Sequence, residues 1–232
     1  MTKRVGQATK GWFGKFAGLA SLAAGAALLL SACGEAPSGE QTSSSGESNR
    51  AYAEGTYYRV LSSPVQQNQP EPFIVEYLWV GCPACQRFEP VMQGVKAEFP
   101  AVNVIRRHGV FNQRWALDAR FYHAASEIAG RDIGTAMLAF YQAQAPELPD
   151  FNDISVFLRQ QGLDEEAVFD KADSPEIVAI MEQTLTEMQD NQIPGVPAVV
   201  VNGRYLVANP LPEDIVTLED STQLIAYLLS LE

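Results

Sequence analysis

The chain has 232 residues and a formal net charge of −12 at pH 7, because 28 acidic residues outnumber 16 basic ones. Nucleic-acid binding needs a basic face, so this composition argues against a nucleic-acid partner. From about Tyr52 to Glu232 the chain has roughly 180 residues, which is enough for one domain of ordinary size with a buried core.

Residues 1–32 have the pattern of an export signal. Basic residues near the start precede a run at 16–30 that consists almost entirely of Ala, Leu, Gly and Ser. The run has about the length of a signal core and is short for a helix that spans a membrane. The signal predicts that the rest of the chain functions outside the cytoplasm, in an oxidising compartment.

The signal ends in "LSAC", residues 30–33, which resembles the lipobox of bacterial lipoproteins. The resemblance implies cleavage before Cys33 and acylation of that residue, and several acyl chains would hold the protein on a membrane. The alternative is an ordinary secretory signal cleaved nearby, which would leave Cys33 as a free thiol.

Residues 33–51 are predicted to form a flexible tether, because they contain no large apolar residue that could bury surface. Gly34 occupies the position where enteric bacteria place Asp to keep a lipoprotein in the inner membrane. Similarity to that sorting rule favours the outer membrane. We therefore expect a lipid-anchored protein on the periplasmic face of the cell envelope.

The apolar run "PFIVEYLWV", residues 72–80, predicts a buried central strand. Glu76 is the one charged residue in this run. It is either a solvated residue at a sheet edge or a buried carboxylate, and burial would raise its pKa by desolvation. A carboxyl group of that kind could exchange protons with a neighbouring thiol.

The motif "CPAC" at residues 82–85 follows this strand and contains both cysteines other than Cys33. A structural disulfide that closes so small a loop would stabilise the fold little. A zinc site would need two more ligands, and His108 and His123 lack the short spacing found in zinc fingers. Copper binding stays open, since Cu(I) prefers thiolates. A redox-active dithiol is the favoured interpretation.

A helix is predicted to begin at Pro83, because apolar residues follow it at helical spacing. Cys82 would then lie at the helix N-terminus, where unpaired backbone N–H groups and the helix dipole favour its thiolate. A low pKa makes Cys82 a good leaving group and makes the disulfide form oxidising. Cys85, one turn further along, is expected to be less exposed and to act as the resolving thiol.

The sequence "VNVIRRHGVF", residues 102–111, predicts a strand that completes a β-α-β unit, and helices are predicted from 113 to 191. We expect His123 to be a helix-surface residue or a satisfied interface residue rather than a catalyst. Four aromatic residues are expected in the core rather than in a substrate groove: Phe121, Tyr122, Phe140 and Tyr141. A closing helix is predicted in "STQLIAYLLSLE", residues 221–232.

The segment "QIPGVPAVVVNGRYLV", residues 192–207, predicts a strand at 198–201, a two-residue Asn-Gly turn and a second strand at 204–207. "CPAC" after a buried strand, together with "GVPAVVVNGRY", resembles the thioredoxin superfamily and specifically the DsbA family.

The resemblance implies an α/β fold in which a thioredoxin-like domain, residues 52–112 and 192–232, is interrupted by a helical insertion at 113–191. It also implies a cis peptide bond before Pro197, which would pack opposite the dithiol. The catalytic residues implied are Cys82, Cys85, Glu76 and Pro197.

The same resemblance implies that Glu76 exchanges protons with Cys85. Substrate is expected to contact Pro83, Ala84 and the backbone of Val196, which would pair with an extended peptide. The family's best-known members have His where this chain has Ala84. The absence of that His should raise the pKa of Cys82 and make the disulfide less oxidising.

The implied activity is the oxidation of cysteines in secreted proteins, with no cofactor besides the disulfide itself. The implied partners are reduced or unfolded secreted proteins and a quinone-linked membrane protein that re-oxidises the pair. The enzyme is expected to be a monomer. A periplasmic reductase or a client-dedicated enzyme is the alternative within the same class, and Ala84 is the feature that favours it.

Overall fold

The computed structural model describes residues 52–231. The predicted signal peptide, the lipidation site Cys33 and the predicted tether lie outside the described residues. The strands are β1 Tyr58–Val60, β2 Phe73–Leu78, β3 Asn103–His108, β4 Ala198–Val201 and β5 Tyr205–Val207. The helices are α1 Pro83–Glu98, α2 Gln113–Ala129, α3 Gly134–Gln144, α4 Phe151–Gln160, α5 Glu165–Ala172, α6 Pro175–Asp190 and α7 Leu218–Leu229.

The strands form one mixed sheet in the order β1-β5-β4-β2-β3. Strands β2 and β3 are parallel and are joined through α1, which confirms the predicted β-α-β unit. The other neighbouring strands are antiparallel. All six residues of β2 are buried, as expected for a central strand.

An apolar cluster covers each face of the sheet. Strand β2 contributes to both clusters, because successive side chains of a strand point to opposite sides. Ile74 of β2 belongs to the apolar cluster that includes Met92 of α1 and Leu224 of α7. Tyr77 belongs to a second cluster, which includes Met188 of α6. Burial of each such side chain contributes about 1.5–3 kcal/mol to folding. This packing fixes the position of β2, and α1 begins five residues after β2 ends.

The hairpin between β4 and β5 confirms the predicted Asn-Gly turn. Asn202 and Gly203 have φ angles of 48° and 67°, the left-handed pair that a type I′ turn requires. A Cβ atom on Gly203 would lie 2.3 Å from the carbonyl oxygen of Val65, so only glycine fits. The second strand begins at Tyr205 rather than at the predicted Arg204, whose N–H still closes the turn.

Five helices, α2 to α6, lie between β3 and β4, where the sequence predicts a helical insertion. Four of them begin at residues whose side chains accept a backbone N–H, the usual N-cap arrangement. These residues are Asn112, Asp150, Asp164 and Ser174. The insertion and the sheet belong to the same compact unit.

Two further differences from the sequence prediction concern the last helix and the first strand. The closing helix begins at Leu218, earlier than predicted, because Thr217 and Asp220 form a capping box at its start. The edge strand β1 was not predicted, since three residues are too few to give an alternating pattern.

Candidate active site

The dithiol lies where β2 ends and α1 begins. Cys82 is the N-cap residue of α1, and its N–H donates to the carbonyl oxygen of Trp79 at 2.9 Å. Cys82 is partly exposed, whereas Cys85, in the first turn of the helix, is fully buried. The two cysteines are not joined by a disulfide in this structure. The predicted position at the helix N-terminus and the predicted difference in exposure are confirmed.

The two thiols have opposite acidities. The pKa of Cys82 is lowered to about 6, chiefly because the thiol of Cys85 hydrogen-bonds to it, and burial opposes this effect. The backbone N–H groups of Cys85 and Ala84 and the charge of Arg87 lower it further. The hydrogen bond to Cys82 and burial both raise the pKa of Cys85. At neutral pH the reduced pair therefore carries one thiolate, on Cys82.

Titration of the reduced protein should show this thiolate directly. We expect the ultraviolet absorbance of the thiolate to appear with a midpoint near pH 6. Cys85→Ala removes the largest stabilising contact, so it should shift the midpoint upward towards the ordinary value of about 8.5. An unchanged midpoint in Cys85→Ala would contradict the assigned cause.

The loop before β4 lies against the dithiol, as predicted. The Sγ atom of Cys82 lies 3.8 Å from the carbonyl oxygen of Val196, and the peptide bond between Val196 and Pro197 is cis. The amide Nδ2 of Asn209 donates to the carbonyl oxygen of Pro197 at 2.6 Å. No sequence pattern indicated Asn209, because the contact depends on the loop that follows β5.

Glu76 is completely buried, which excludes the solvated-edge alternative. Its Oε2 accepts from Nε of Arg106 on β3 at 2.7 Å, and Arg106 also donates from Nη2 to Oε2 of Glu89 on α1 at 2.5 Å. Burial raises the pKa of Glu76, and Arg106 opposes that effect. The other oxygen, Oε1, has no hydrogen-bond partner among the described residues.

Arg106 and Glu89 were not predicted as part of the site. Arg106 is buried between two carboxylates, and its Nη1 also lies 3.3 Å from Asp132. Oε1 of Glu89 accepts from the hydroxyl of Thr135 at 2.5 Å. An arginine within a predicted strand was the one available signal, but the partner could be identified only after β2 and β3 were paired.

The two histidines lie beside the loop that leads to Cys82. Nδ1 of His108 lies 2.8 Å from the carbonyl oxygen of Gly109, and its Nε2 accepts the N–H of Val80 at 3.3 Å. Nε2 of His123 accepts the N–H of His108 at 3.4 Å. His123 is 8% exposed, so the helix-surface alternative was wrong and the satisfied-interface alternative is confirmed.

Acid should destabilise the fold through these two residues. Burial lowers the pKa of His108 to about 4 and that of His123 to about 3. The unfolded chain binds protons near pH 6.5, so stability present above that value is lost as pH falls towards 4. By about pH 3 the loss should reach several kcal/mol and at most about 8 kcal/mol, because a pKa difference of one between the folded and unfolded states corresponds to about 1.4 kcal/mol.

Urea unfolding at several pH values tests this expectation. His123→Gln keeps an oxygen that can accept the N–H of His108 but does not titrate, so the slope between about pH 6.5 and 4 should be smaller in this variant. Equal slopes in the variant and the parent would refute the assignment.

The expected aromatic core is also confirmed. Phe121, Tyr122 and Tyr141 are buried in the main cluster of the helical insertion, and Phe140 packs against it partly buried. None of these rings lines the groove that begins at Ala84 and Pro197.

A shallow apolar groove runs beside the dithiol. It has a volume of about 370 Å³ and lies between the start of α1 and the loop that leads into α7. Ala84 and Pro197 line the end close to Cys82, and Val216, which is 79% exposed, lines the far side. Leu218, which is 47% exposed, also lines the groove, and adjacent exposed apolar residues suit a surface that binds other chains.

Two further findings concern residues 52–231. Within this range no three His, Cys, Asp or Glu side chains converge as a metal site would require. No helix in this part of the chain has the length and apolarity needed to cross a membrane.

The fold and the dithiol define a thioredoxin-fold protein, and comparisons with known proteins agree. The family model described as Thioredoxin matches residues 68–220. The thiol:disulfide interchange protein DsbA of Pseudomonas aeruginosa is 30% identical over 157 residues, which cover 66% of this chain and 74% of that protein. DsbA of Burkholderia cepacia is 27% identical, with 67% and 75% covered.

The crystal structure of Pseudomonas aeruginosa DsbA superposes with a TM-score of 0.65 at 29% identity, covering 77% of this chain and 93% of that one. The chain belongs to the DsbA family and is a thiol:disulfide oxidoreductase.

Proposed function

We propose that this enzyme oxidises pairs of cysteines in exported proteins by donating the Cys82–Cys85 disulfide to them. The observation that supports this direction is the contrast between the two thiols. Cys82 is partly exposed with a lowered pKa, and Cys85 is buried with a raised one. A stabilised thiolate favours the reduced enzyme, so the disulfide form is the oxidant.

The cycle consists of two exchanges. A substrate thiolate attacks Sγ of Cys82 in the disulfide, the bond to Cys85 breaks, and the Cys85 thiolate takes up a proton. A second substrate thiolate then attacks the substrate sulfur of the mixed disulfide. The substrate disulfide forms and Cys82 leaves as a thiolate, which its low pKa makes a good leaving group.

Glu76 serves as the proton donor and acceptor for Cys85 in this scheme. Its raised pKa and its unpartnered, buried Oε1 support the role, because one oxygen remains available to hold a proton. The charge of Glu76 also acts to raise the pKa of Cys85, so the two groups influence each other's protonation.

Substrate contacts involve Pro83, Ala84 and the backbone of Val196. An extended peptide would pair with Val196 while its cysteine reaches Cys82, and its apolar side chains would enter the groove that begins at Ala84 and Pro197. Pro197 shapes the loop that presents Val196. The Pro197 carbonyl oxygen already accepts from Asn209, which favours pairing through Val196 alone.

The proposed location is the periplasmic face of the cell envelope, with Cys33 as the lipid anchor and the outer membrane favoured. The proposed partners are reduced or unfolded secreted proteins and a quinone-linked membrane protein that restores the disulfide. The lipobox and the export signal in residues 1–33 support this placement.

The reduction potential of the pair in glutathione buffers tests the direction of the reaction. We expect a value near or above about −180 mV, with the reduced protein more stable to heat than the oxidised protein. A value towards about −270 mV, with the oxidised protein more stable, would instead identify a reductase. Ala84 is the feature that favours that second outcome.

A further inference from the structure

The link between β2 and α1 contains a tryptophan whose ring is held by a buried carboxylate of the helical insertion. The indole Nε1 of Trp79 donates to Oδ2 of Asp118 on α2 at 2.7 Å. Asp118 is 1% exposed, and its Oδ1 accepts from the hydroxyl of Tyr141 on α3 at 2.7 Å. Nε of Arg114 lies within 3.0 Å of both oxygens and balances the charge.

The ring of Trp79 is also fixed by stacking. It lies nearly parallel to Trp115 of α2, with centroids 4.5 Å apart and an interplanar angle of 19°. Two glycines leave room for these rings. A Cβ atom on Gly81 would lie 2.5 Å from the ring of Trp79, and one on Gly109 would lie 3.1 Å from that of Trp115.

The main chain of Trp79 contacts the dithiol directly. Its carbonyl oxygen accepts the N–H of Cys82 at 2.9 Å. A backbone hydrogen bond from Trp79 also lowers the pKa of the Cys85 thiol. A carboxylate of the insertion is thus connected, through one indole ring, to the turn that places Cys82 at the start of α1.

We propose that Asp118 is a positioning residue for Cys82: by fixing the indole of Trp79, it holds the turn from which the reactive thiol is presented. This inference rests on the proposed role of Cys82 as the reactive thiol. It gives the helical insertion a part in the chemistry of the dithiol.

The effect is transmitted by geometry rather than by charge. Arg114 neutralises Asp118, and the groups that lower the pKa of Cys82 are neighbours on α1, namely Cys85, Ala84 and Arg87. Their N–H and S–H donors stabilise the thiolate only while Cys82 stays in its N-cap position. Release of Trp79 should therefore weaken thiolate stabilisation without altering any of those groups.

Alkylation of the reduced protein at pH 6 tests the proposal, in a Cys33→Ser background so that only the active-site thiols react. We expect Asp118→Ala and Trp79→Phe each to slow alkylation of Cys82 by about twofold to fivefold, as a rise of about 0.5 to 1 from a pKa of about 6 would do at this pH. Combining the two changes should add little, because both break the same contact. Asp118→Asn keeps an oxygen that can accept the indole proton and should retain more of the rate.

Tyr77→Phe is the matched control. It removes the 2.8 Å hydrogen bond from the buried Tyr77 hydroxyl to Glu187 of α6, which is another link between β2 and the insertion. It should lower thermal stability but leave the alkylation rate unchanged. If Tyr77→Phe slows alkylation as much as Asp118→Ala, or if Trp79→Phe does not slow it, Asp118 has only a structural role and the proposal is wrong.

Different measurements test the proposed function and this inference. Lack of oxidase activity in the parent protein would reject the function, whereas the positioning role is judged only by the ratio of each variant to the parent. Trp79→Phe and Asp118→Asn keep the test decisive if Asp118→Ala does not fold.

Discussion

Cys82→Ser should abolish disulfide formation in a reduced two-cysteine peptide, leaving only the uncatalysed rate. A serine hydroxyl neither forms a disulfide nor leaves from one, and Cys85 is too buried to replace Cys82 as the exchanging thiol. Burial still raises the pKa of Cys85 when the Cys82 thiol is absent, and each increase of one in the pKa lowers the thiolate population about tenfold at a fixed pH. Peptide oxidation followed by thiol counting measures the loss.

Cys85→Ser provides the complementary result. In a Cys33→Ser background this variant keeps the partly exposed thiol of Cys82, so oxidised glutathione should convert it to a stable mixed disulfide visible by mass spectrometry. Cys82→Ser should form the corresponding adduct on Cys85 much more slowly, because Cys85 is fully buried. Equal rates of adduct formation in the two variants would reject the assignment of Cys82 as the nucleophile.

Arg106→Met should destabilise the protein by about 3–5 kcal/mol, the usual result of removing one partner from a buried ion pair. Arg106 is hydrogen-bonded to Glu76 at 2.7 Å and to Glu89 at 2.5 Å, and both carboxyl groups are buried. Methionine of similar length fills the space but leaves both carboxylates without their cation. Urea denaturation at pH 7 measures the loss.

Two comparisons separate the charge effect from packing. Arg106→Lys keeps a cation and should lose less stability than Arg106→Met, and adding Glu76→Gln to Arg106→Met should recover part of the loss by removing one buried charge. The pKa of Glu76 is raised by burial and lowered by Arg106, so it should rise further in Arg106→Met. A carboxyl group whose pKa is higher in the folded protein than in the unfolded chain favours the folded state at low pH. The stability that Arg106→Met loses relative to the parent should therefore grow as pH increases above about 4.3. A deficit independent of pH would indicate packing alone.

Local sequence predicted the parts of the site that are built from consecutive residues. The buried strand, the helix that begins at Pro83 and the exposed position of Cys82 follow from one stretch of about 30 residues, and the turn at Asn202 and Gly203 follows from two residues with positive φ. The cis bond before Pro197 is different in kind, because a single X-Pro bond is cis in only about 5–6% of cases. It could be predicted only from family resemblance.

The contacts that sequence analysis missed all join segments distant in the chain. Arg106 contacts Glu76 across β2 and β3, Asn209 contacts Pro197 across the β4–β5 hairpin, and Asp118 contacts Trp79 from the insertion. Each is a polar residue whose partner is defined only by strand pairing or by helix packing. Their residue types are ordinary for surface positions, so composition and periodicity did not indicate that they are buried or paired.

The separation between the two halves of the site also bears on how a new copy of the enzyme matures. Cys82 and Val196 are 114 residues apart, and strand β2 lies between β3, which follows it closely, and β4, which arrives only after the whole insertion. Closing so long a loop costs entropy before its contacts form. Under the proposed function, a freshly exported chain therefore carries its two cysteines as an ordinary unfolded protein does. Until β4 docks, a new copy lacks the half of the site that Val196 supplies.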